Sequence, residues 1–488
     1  MFRAFWGSRS ETRRFKDGTI VESVVWSASN ERIVEEIVRY AAGVHLLGCG
    51  DQGELVRCVS AQLEDALPAN PEGGHATDGA DALTRSAGSA LDHLRKLVTS
   101  SLKGFPVSVD SLSASSPSLR YTSIFPPTPS LLLDPVKSEM KGQMGSILLR
   151  PLHTVAVLSS GRWPAELIAL RKTKTALIIR LSELLEEQFK VKSNVHEACL
   201  DVVVRGFVFR VHFYIPQELE LCTSMQRETM QRNLVAAPFH HSIIHGLHAR
   251  FKSYSSTVRL MHLWIESHMY TGHITNEAVE LIVAAVYLEN EEFPLSSTVG
   301  LLKALLKLSE HDWQRTPLIV DLLASDGGGG KALSAAEIES MRMEFDALRE
   351  KSAMTVLPLF IISNATRDFE GSLFPCFTVE TESVVLRLMM KSARKTAMEL
   401  LDWMRHPQSD DTDFAAERIL IADRKAIGCN VILSFEKEII MNRDNFRLEA
   451  NYGNRLWHAF LLGPPIAKLQ LFSNLSSKER AFERQILM

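Results

Sequence analysis

Cysteine is sparse in this 488-residue chain: the six residues Cys49, Cys58, Cys199, Cys222, Cys376 and Cys429 form no CxxC pair and no regular framework. That excludes a disulfide scaffold and a structural zinc signature, and it fits a reducing compartment. Long apolar runs are missing as well. The longest, such as residues 281–288, fall far short of the ~20 residues that cross a bilayer, and the first residues lack a signal peptide's apolar core, so we expect a soluble intracellular chain with no membrane partner. No charge of one sign dominates either. Lys and Arg number 54 against 58 Asp and Glu, a net charge of −4, so any RNA contact must come from a local patch.

Catalytic signatures are equally scarce. There is no GxSxG elbow, no HExxH and no cysteine in a nucleophile context. The glycine run 327–330 in SDGGGGKA resembles a phosphate loop, but Ser325 stands where the first glycine belongs and Ala332 replaces the magnesium-binding hydroxyl, so it reads as a flexible loop. Asp411 and Asp413 resemble a metal-binding Asp-x-Asp, yet they sit in an acidic stretch after Pro407 with no Gly-Ser turn before them, and read as solvated. His241, His245 and His248 fall on one helical face; with no carboxylate or cysteine at an arguable spacing, they read as a half-buried or RNA-facing patch rather than a metal site. We therefore expect no cofactor, no metal and no catalytic residue.

What is present is a globular composition, 45% apolar and 23% charged, long enough for roughly three domains. The opening enters at once on aromatic and strand-like residues, as a chain starting in the middle of a sheet would, and we expect upstream sequence. Residues 29–47 carry Ile33, Ile37, Val38 and Ala41 at helical spacing after an Asn30 cap. The shift to Pro, Gly, Ala, Asp and Ser over 68–89 predicts a linker, followed by a short helix near 91–102. The Ser/Pro stretch SLSASSPSLRYTSIFPPTPS predicts extended chain with few core residues.

Next come a strand at 154–158 and a long helix from Pro164. That helix turns Leu167, Ile168, Leu177, Ile178, Leu181, Leu184 and Leu185 inward and leaves Arg171, Lys172, Lys174 and Glu187 to water. The strongest strand, DVVVRGFVFRVHFYI, sets Phe207, Phe209, Val211 and Phe213 on one face. A helical stretch follows, at 242–254, 256–270, 276–288 and 298–308, read as a separate unit punctuated by Gly272. Ser334 and Glu337 form a capping box before a further helix, then the strand TVLPLFIIS, a helix over 383–405 and a strand NVILSF. No short internal repeat is present.

The basic N-terminal cluster Arg3, Arg9, Arg13, Arg14 and Lys16 interleaves with Phe2, Phe5, Trp6 and Phe15. Guanidinium groups fork onto phosphate, whereas the aromatics are expected to pack inward.

At this stretch the chain resembles the nucleolar RNA-associated protein (Nrap) family. The residues that carry the likeness are Phe5, Trp6, Gly7, Arg13, Arg14, Phe15, Asp17, Gly18, Glu22 and Trp26. In the same order follow Leu119, Arg120, Tyr121, Phe125, Pro126 and Pro127; then Gly206, Phe207, Phe209 and Arg210; then Leu263 and Trp264; then Asp312, Trp313, Pro317 and Leu318. The resemblance implies an α+β multidomain fold, in which nucleotidyltransferase-like mixed sheets alternate with helical poly(A)-polymerase or oligoadenylate-synthetase-like modules. It would divide the chain into the C-terminal part of one transferase-like module (1–66), a linker and short helix (67–104), a second, degenerate transferase-like module (105–232), a helical module (233–375) and a C-terminal α/β module (376–488), truncated or divergent.

It also implies a nuclear, nucleolar role in the small-subunit processome. The partners it implies are pre-ribosomal RNA, a small nucleolar ribonucleoprotein, a ribosomal-RNA-processing protein and casein kinase subunits. Active nucleotidyltransferases follow a Gly-Ser turn with a strand bearing Asp-x-Asp, plus a third carboxylate nearby, to seat two magnesium ions. Here the turn is Gly145-Ser146, the next strand reads HTVAVL, and residues 141–165 contain no acid. Asp201, followed by valines, stands near the third position and cannot hold two metals alone.

We therefore expect a non-catalytic scaffold that grips phosphate through Arg9, Arg13, Arg14, Lys16, Lys192, Arg205 and Arg210. Two alternatives stay open: an active template-independent transferase of the poly(A) or CCA-adding kind, and a protein-interaction module that touches no RNA.

Overall fold

The computed structural model describes residues 2–24, 37, 40, 63, 67, 76–127, 148–149, 151–290, 295–322, 333–351, 356–364, 379–405, 420 and 446–447. They belong to two units that divide between residues 62 and 63. The expected Gly145-Ser146 turn, the glycine run 327–330, Asp411, Asp413, the strand NVILSF and most of the helix expected over 29–47 lie outside the described residues.

In the first unit a short helix α1 (Phe2–Trp6) leads through a 3-10 turn into the hairpin β1 (Ser10–Arg14) and β2 (Ile20–Val24). Arg14 pairs with Ile20 across a turn in which Gly18 sits at φ 88°, a left-handed conformation that glycine adopts without strain. Asp17 closes the turn by accepting from the Thr19 hydroxyl and amide at 2.7 and 3.0 Å, which holds its carboxyl below its ordinary value.

The second unit is built on a five-stranded mixed sheet. Its strands are β3 (Ser108–Ala114), β5 (Leu152–Ser159), β6 (Ser193–Val195), β7 (Cys199–Val204) and β8 (Phe207–Tyr214), in the order β3-β5-β8-β7-β6. Only β5 and β8 run parallel. The crossover between them contains the helix α3 (Leu167–Phe189), which with α2 (Ala76–Lys96) covers the sheet's apolar face, where Leu112, Ala156, Val202, Phe207, Phe209, Val211 and Phe213 are buried. The expected face of Phe207, Phe209, Val211 and Phe213 is therefore present.

Four readings of this region need correction. The segment 68–89 is not all linker, because residues 76–96 form α2, with Thr84, Ala87, Leu91 and Leu94 buried at helical spacing. Small side chains let this helix lie close to the sheet, and they are also what made its composition look incapable of packing. The single strand DVVVRGFVFRVHFYI is the hairpin β7–β8, reversed at Arg205 (φ 51°) and Gly206 (φ 85°); two successive positive φ angles make the two-residue turn whose twist matches the strands. On α3, Ile168 is 71% exposed whereas Lys174 is buried, its ammonium 2.8 Å from the buried Glu218 carboxylate. The Ser/Pro stretch is extended only in part: it forms β3 and a 3-10 turn (Pro117–Arg120), and it buries Leu112, Leu119, Arg120, Tyr121, Thr122 and Ile124.

Short helices α4 (Pro216–Leu221) and α5 (Ser224–Met230) and a π-helical turn (Gln231–Ala236) lead into α6 (Ala237–Arg250), α7 (Tyr254–Ser267), α8 (Asn276–Glu289) and α9 (Ser297–Glu310). Thr275 and Ser296 cap α8 and α9 by accepting from Ala278 N and Val299 N. Gly272 stands at φ 91° between α7 and α8, at the expected break. Beyond lie β9 (Leu318–Val320) and α10 (Ala335–Lys351). The Ser334–Glu337 capping box opens α10, with Ser334 N donating to Glu337 Oε2 at 2.8 Å and Glu337 N to Ser334 Oγ at 3.3 Å.

The strand TVLPLFIIS divides at Phe360 into β10 (Val356–Leu359), antiparallel to β12 (Val379–Glu382), and β11 (Ile361–Ser363), parallel to β9. The helix α11 (Ser383–Arg405) has the expected bounds. A two-residue pair, β4 (Leu148–Leu149) with β13 (Phe446–Arg447), completes the described elements. The helical stretch lies in the same compact unit as the sheet, and buried polar bonds join the two.

Candidate nucleic-acid interface

Asp201 shows how local register determines what a carboxylate can do. In the β7–β8 hairpin it faces Arg210 across the ladder, and the guanidinium forks onto it, Nε to Oδ1 and Nη2 to Oδ2, both at 2.8 Å. His196 Nε2 donates to Oδ2 at 2.8 Å. Both oxygens are occupied, and the residue is 1% exposed. Beside it on the same face, His153 Nδ1 and His212 Nε2 lie 3.0 Å apart with their rings stacked, and burial and then His153 push His212 down to about 4. The neighbouring strand β5 carries His153, Thr154, Val155 and Val157 and no acid. Arg210 thus holds Asp201 rather than standing open to phosphate.

A cleft of about 680 Å³ opens between the β3 edge, α2 and α6. Val157, Tyr214, Phe239, His241 and His245 line it, and its one Lys or Arg, Arg95, is bonded to Asp92 and to the Leu112 carbonyl at 2.9 Å. Burial, then the nearby Arg120 charge, push His241 down to about 3, so its imidazole is neutral at pH 7. A triphosphate would meet no unpaired Lys or Arg among the described residues there. The expected histidine face does not converge on a point. The His241, His245 and His248 rings are spaced 6.2 and 6.3 Å apart, and His248 stacks on Tyr121 at 4.0 Å while bonding Ser255.

Exposed cations gather instead at the hairpin end of the sheet. Lys192 lies opposite Val203, whose amide it accepts at 3.0 Å, and Arg205 is two residues on in the turn, reaching Ser89 Oγ at 3.0 Å. Lys190, at φ 56°, caps α3 here, and Lys103 is tied to the same helix end through Gln188, its amide donating at 3.1 Å and its carbonyl accepting at 2.7 Å. All four side chains are exposed. Sequence reading found Lys192 and Arg205 but missed Lys103 and Lys190. The signal for Lys190 was available in its place at a helix C-terminus, where the macrodipole favours cations.

In the first unit, Arg13 pairs with Glu11 at 3.0 Å, Arg3 with Glu22 at 2.8 Å, and Arg9 lies 4.9 Å from the Tyr40 ring centre. Arg14 and Lys16 are exposed. Phe2, Phe5 and Phe15 are exposed rather than packed inward, since a two-stranded hairpin has no second layer among this unit's described residues.

The residues quoted from LRYT lie at the junction of sheet and helices. Arg120, fully buried, donates from Nε to Glu280 of α8 at 2.9 and 3.0 Å and from Nη1 to the Ser115 carbonyl at 2.7 Å. Thr122 Oγ1 and His240 Nε2 also donate to Glu280, at 2.5 and 2.7 Å. Arg259 of α7 reaches the Tyr121 carbonyl and the Asp81 carboxylate of α2, each at 2.9 Å.

Three family models match the chain in order: Nrap protein domain 3 over residues 1–47, Nrap protein nucleotidyltransferase domain 4 over 62–249, and Nrap protein PAP/OAS1-like domain 5 over 251–418. The chain belongs to the Nrap family. The Arg120–Glu280 pair thus joins Nrap domain 4 to Nrap domain 5. Among relatives, the chain is 30% identical over 390 residues to Nucleolar protein 6 of Mus musculus (74% of this chain, 32% of that protein). It is 26% identical over 431 residues to U3 small nucleolar RNA-associated protein 22 of Schizosaccharomyces pombe (82% and 36%). The chain spans about a third of the length of these relatives. Among solved structures, the ATP complex of CdnC from E. coli MS115-1 overlaps at a TM-score of 0.42 with 13% identity, over 75% of this chain and 96% of that one. The fold is α+β and nucleotidyltransferase-like.

Proposed function

We propose that this chain is a non-catalytic RNA–protein scaffold of the nucleolus that supports small ribosomal subunit biogenesis. The observation that carries this reading is the condition of the sheet's carboxylates: β5 has none, Asp201 on β7 is closed by Arg210 and His196, and Asp110 on β3 accepts from the Ser108 and Ser159 hydroxyls at 3.1 and 2.7 Å. Two magnesium ions need several open oxygen ligands, and a carboxylate already holding a bidentate arginine offers them poorly. The names of the relatives support the nucleolar placement and an association with small nucleolar and pre-ribosomal ribonucleoprotein. Contacts with a ribosomal-RNA-processing protein and casein kinase subunits of the processome are part of the same proposal.

RNA is gripped in this reading at the basic corner of Lys103, Lys190, Lys192 and Arg205, because exposed cations on a rigid sheet end meet backbone phosphate without desolvating a buried charge. Incubated with magnesium, labelled nucleoside triphosphate and an oligoribonucleotide primer, the chain should incorporate nothing. Incorporation abolished by Asp201→Ala would restore the transferase reading. Lys192→Glu with Arg205→Glu should weaken single-stranded RNA binding and flatten its salt dependence. Unchanged binding would move the RNA contact elsewhere, and no binding by either form favours a scaffold for proteins alone.

A further inference from the structure

Among the described residues, helix α11 is packed on one side only. Leu386, Met389, Ala393, Ala397 and Leu400 are buried in the core shared with α9, and Trp264 Nε1 donates to Thr396 at 3.0 Å. Its outer side exposes Val384 (62%), Leu388 (49%) and Met398 (55%). Beside these, Arg387, Lys391, Arg394 and Lys395 are exposed as well, and the helix carries no acid before Glu399. Steps of three and four residues bring these seven side chains onto one stripe, and from 384 to 398 it runs about 21 Å at ~1.5 Å per residue.

We propose that this stripe docks an amphipathic acidic helix of a partner protein. Apolar anchors at 384, 388 and 398 ask for an apolar seam opposite, and Arg387, Lys391 and Arg394, with Lys395 3.8 Å from Glu399 at the end of the run, ask for Glu or Asp along its flanks. A single RNA strand is the poorer fit, because the exposed residues of α11 include no aromatic ring on which a base would stack. The surface is distinct from the basic corner proposed for RNA, so either assignment fails without the other.

The probe is a labelled 20-residue synthetic peptide with leucines at i, i+4 spacing flanked by glutamates. Its controls are a scrambled peptide of equal composition and a 20-nucleotide oligouridine. The full chain should bind the ordered peptide, and both Lys391→Glu/Lys395→Glu and Leu388→Ser should weaken binding about tenfold, while Lys172→Glu, a charge reversal on the exposed side of α3, leaves it unchanged. Unshifted thermal unfolding of each variant shows that these exposed changes leave the fold intact. Equal binding of the scrambled peptide, oligouridine binding lost in Lys391→Glu/Lys395→Glu, or no binding of the ordered peptide would each overturn the assignment.

Discussion

Arg120 and Glu280 carry charge into the interior, and their surroundings decide the energetics. Burial pushes the Glu280 carboxyl up, but the Arg120 charge and the His240 bond outweigh it, so the group lies well below the usual carboxylate range. Removing one partner leaves the other charged and unpaired, so Arg120→Met should destabilise the chain by about 3–5 kcal/mol, while Arg120→Met/Glu280→Leu should recover much of the loss; urea midpoints compare the two. Four imidazoles add an acid sensitivity. Burial foremost pushes His212, His262 and His268 down to about 4 and His241 to about 3. The unfolded chain takes up these protons near pH 6.5 and the folded chain only near 3 to 4, so their stabilisation is complete above pH 6.5 and falls as the pH drops toward 4, by up to about 1.4 kcal/mol per pH unit for each. His262→Asn should flatten that slope in unfolding curves between pH 6.5 and 4. The Asp201–Arg210 pair was legible in principle: once Arg205-Gly206 is taken as a two-residue turn, position 201 faces 210. Glu280 was not legible, since 160 positions separate it from Arg120.

At the scale of elements, periodicity predicted what apolar side chains mark strongly. The helices α7 to α9 and α11 and the buried face of β8 stand where 3.6- and two-residue spacing placed them. The helix α2 escaped because Ala87, Ala90 and Thr84 bury little area each, and a composition of Ala, Gly, Asp and Ser is shared by loops and closely packed helices alike. Close approach is measurable on α9. A Cβ on Gly300 would stand 2.7 Å from Thr257 Oγ1 and 2.8 Å from the Tyr287 hydroxyl, atoms that bond each other at 2.7 Å. Alanine would gain about 1 kcal/mol of helix propensity, yet it must part α9 from α7 and α8. Gly300→Ala should therefore lower the melting temperature, with a net loss of up to about 2 kcal/mol after an overpacking cost of ~1–3 kcal/mol. An unchanged or raised melting temperature would show that this contact yields.

Across the whole molecule, the buried junction makes one unit of two family domains. Hydrogen exchange in β8 and α8 should converge on one opening free energy, and Arg120→Met should lower both together; protection lost from α8 alone would mean the junction does not couple them. The sequence by itself determined the family, the absence of any acid from β5 and most helix positions, because motifs, composition and periodicity are carried by neighbouring residues. Tertiary structure alone decided which charges are available. It sank Arg120 beneath Glu280 and left Lys103, Lys190, Lys192 and Arg205 exposed at one corner. A guanidinium reads the same in sequence whether it meets water, phosphate or a carboxylate, and only folding brings the distant partner within hydrogen-bond reach.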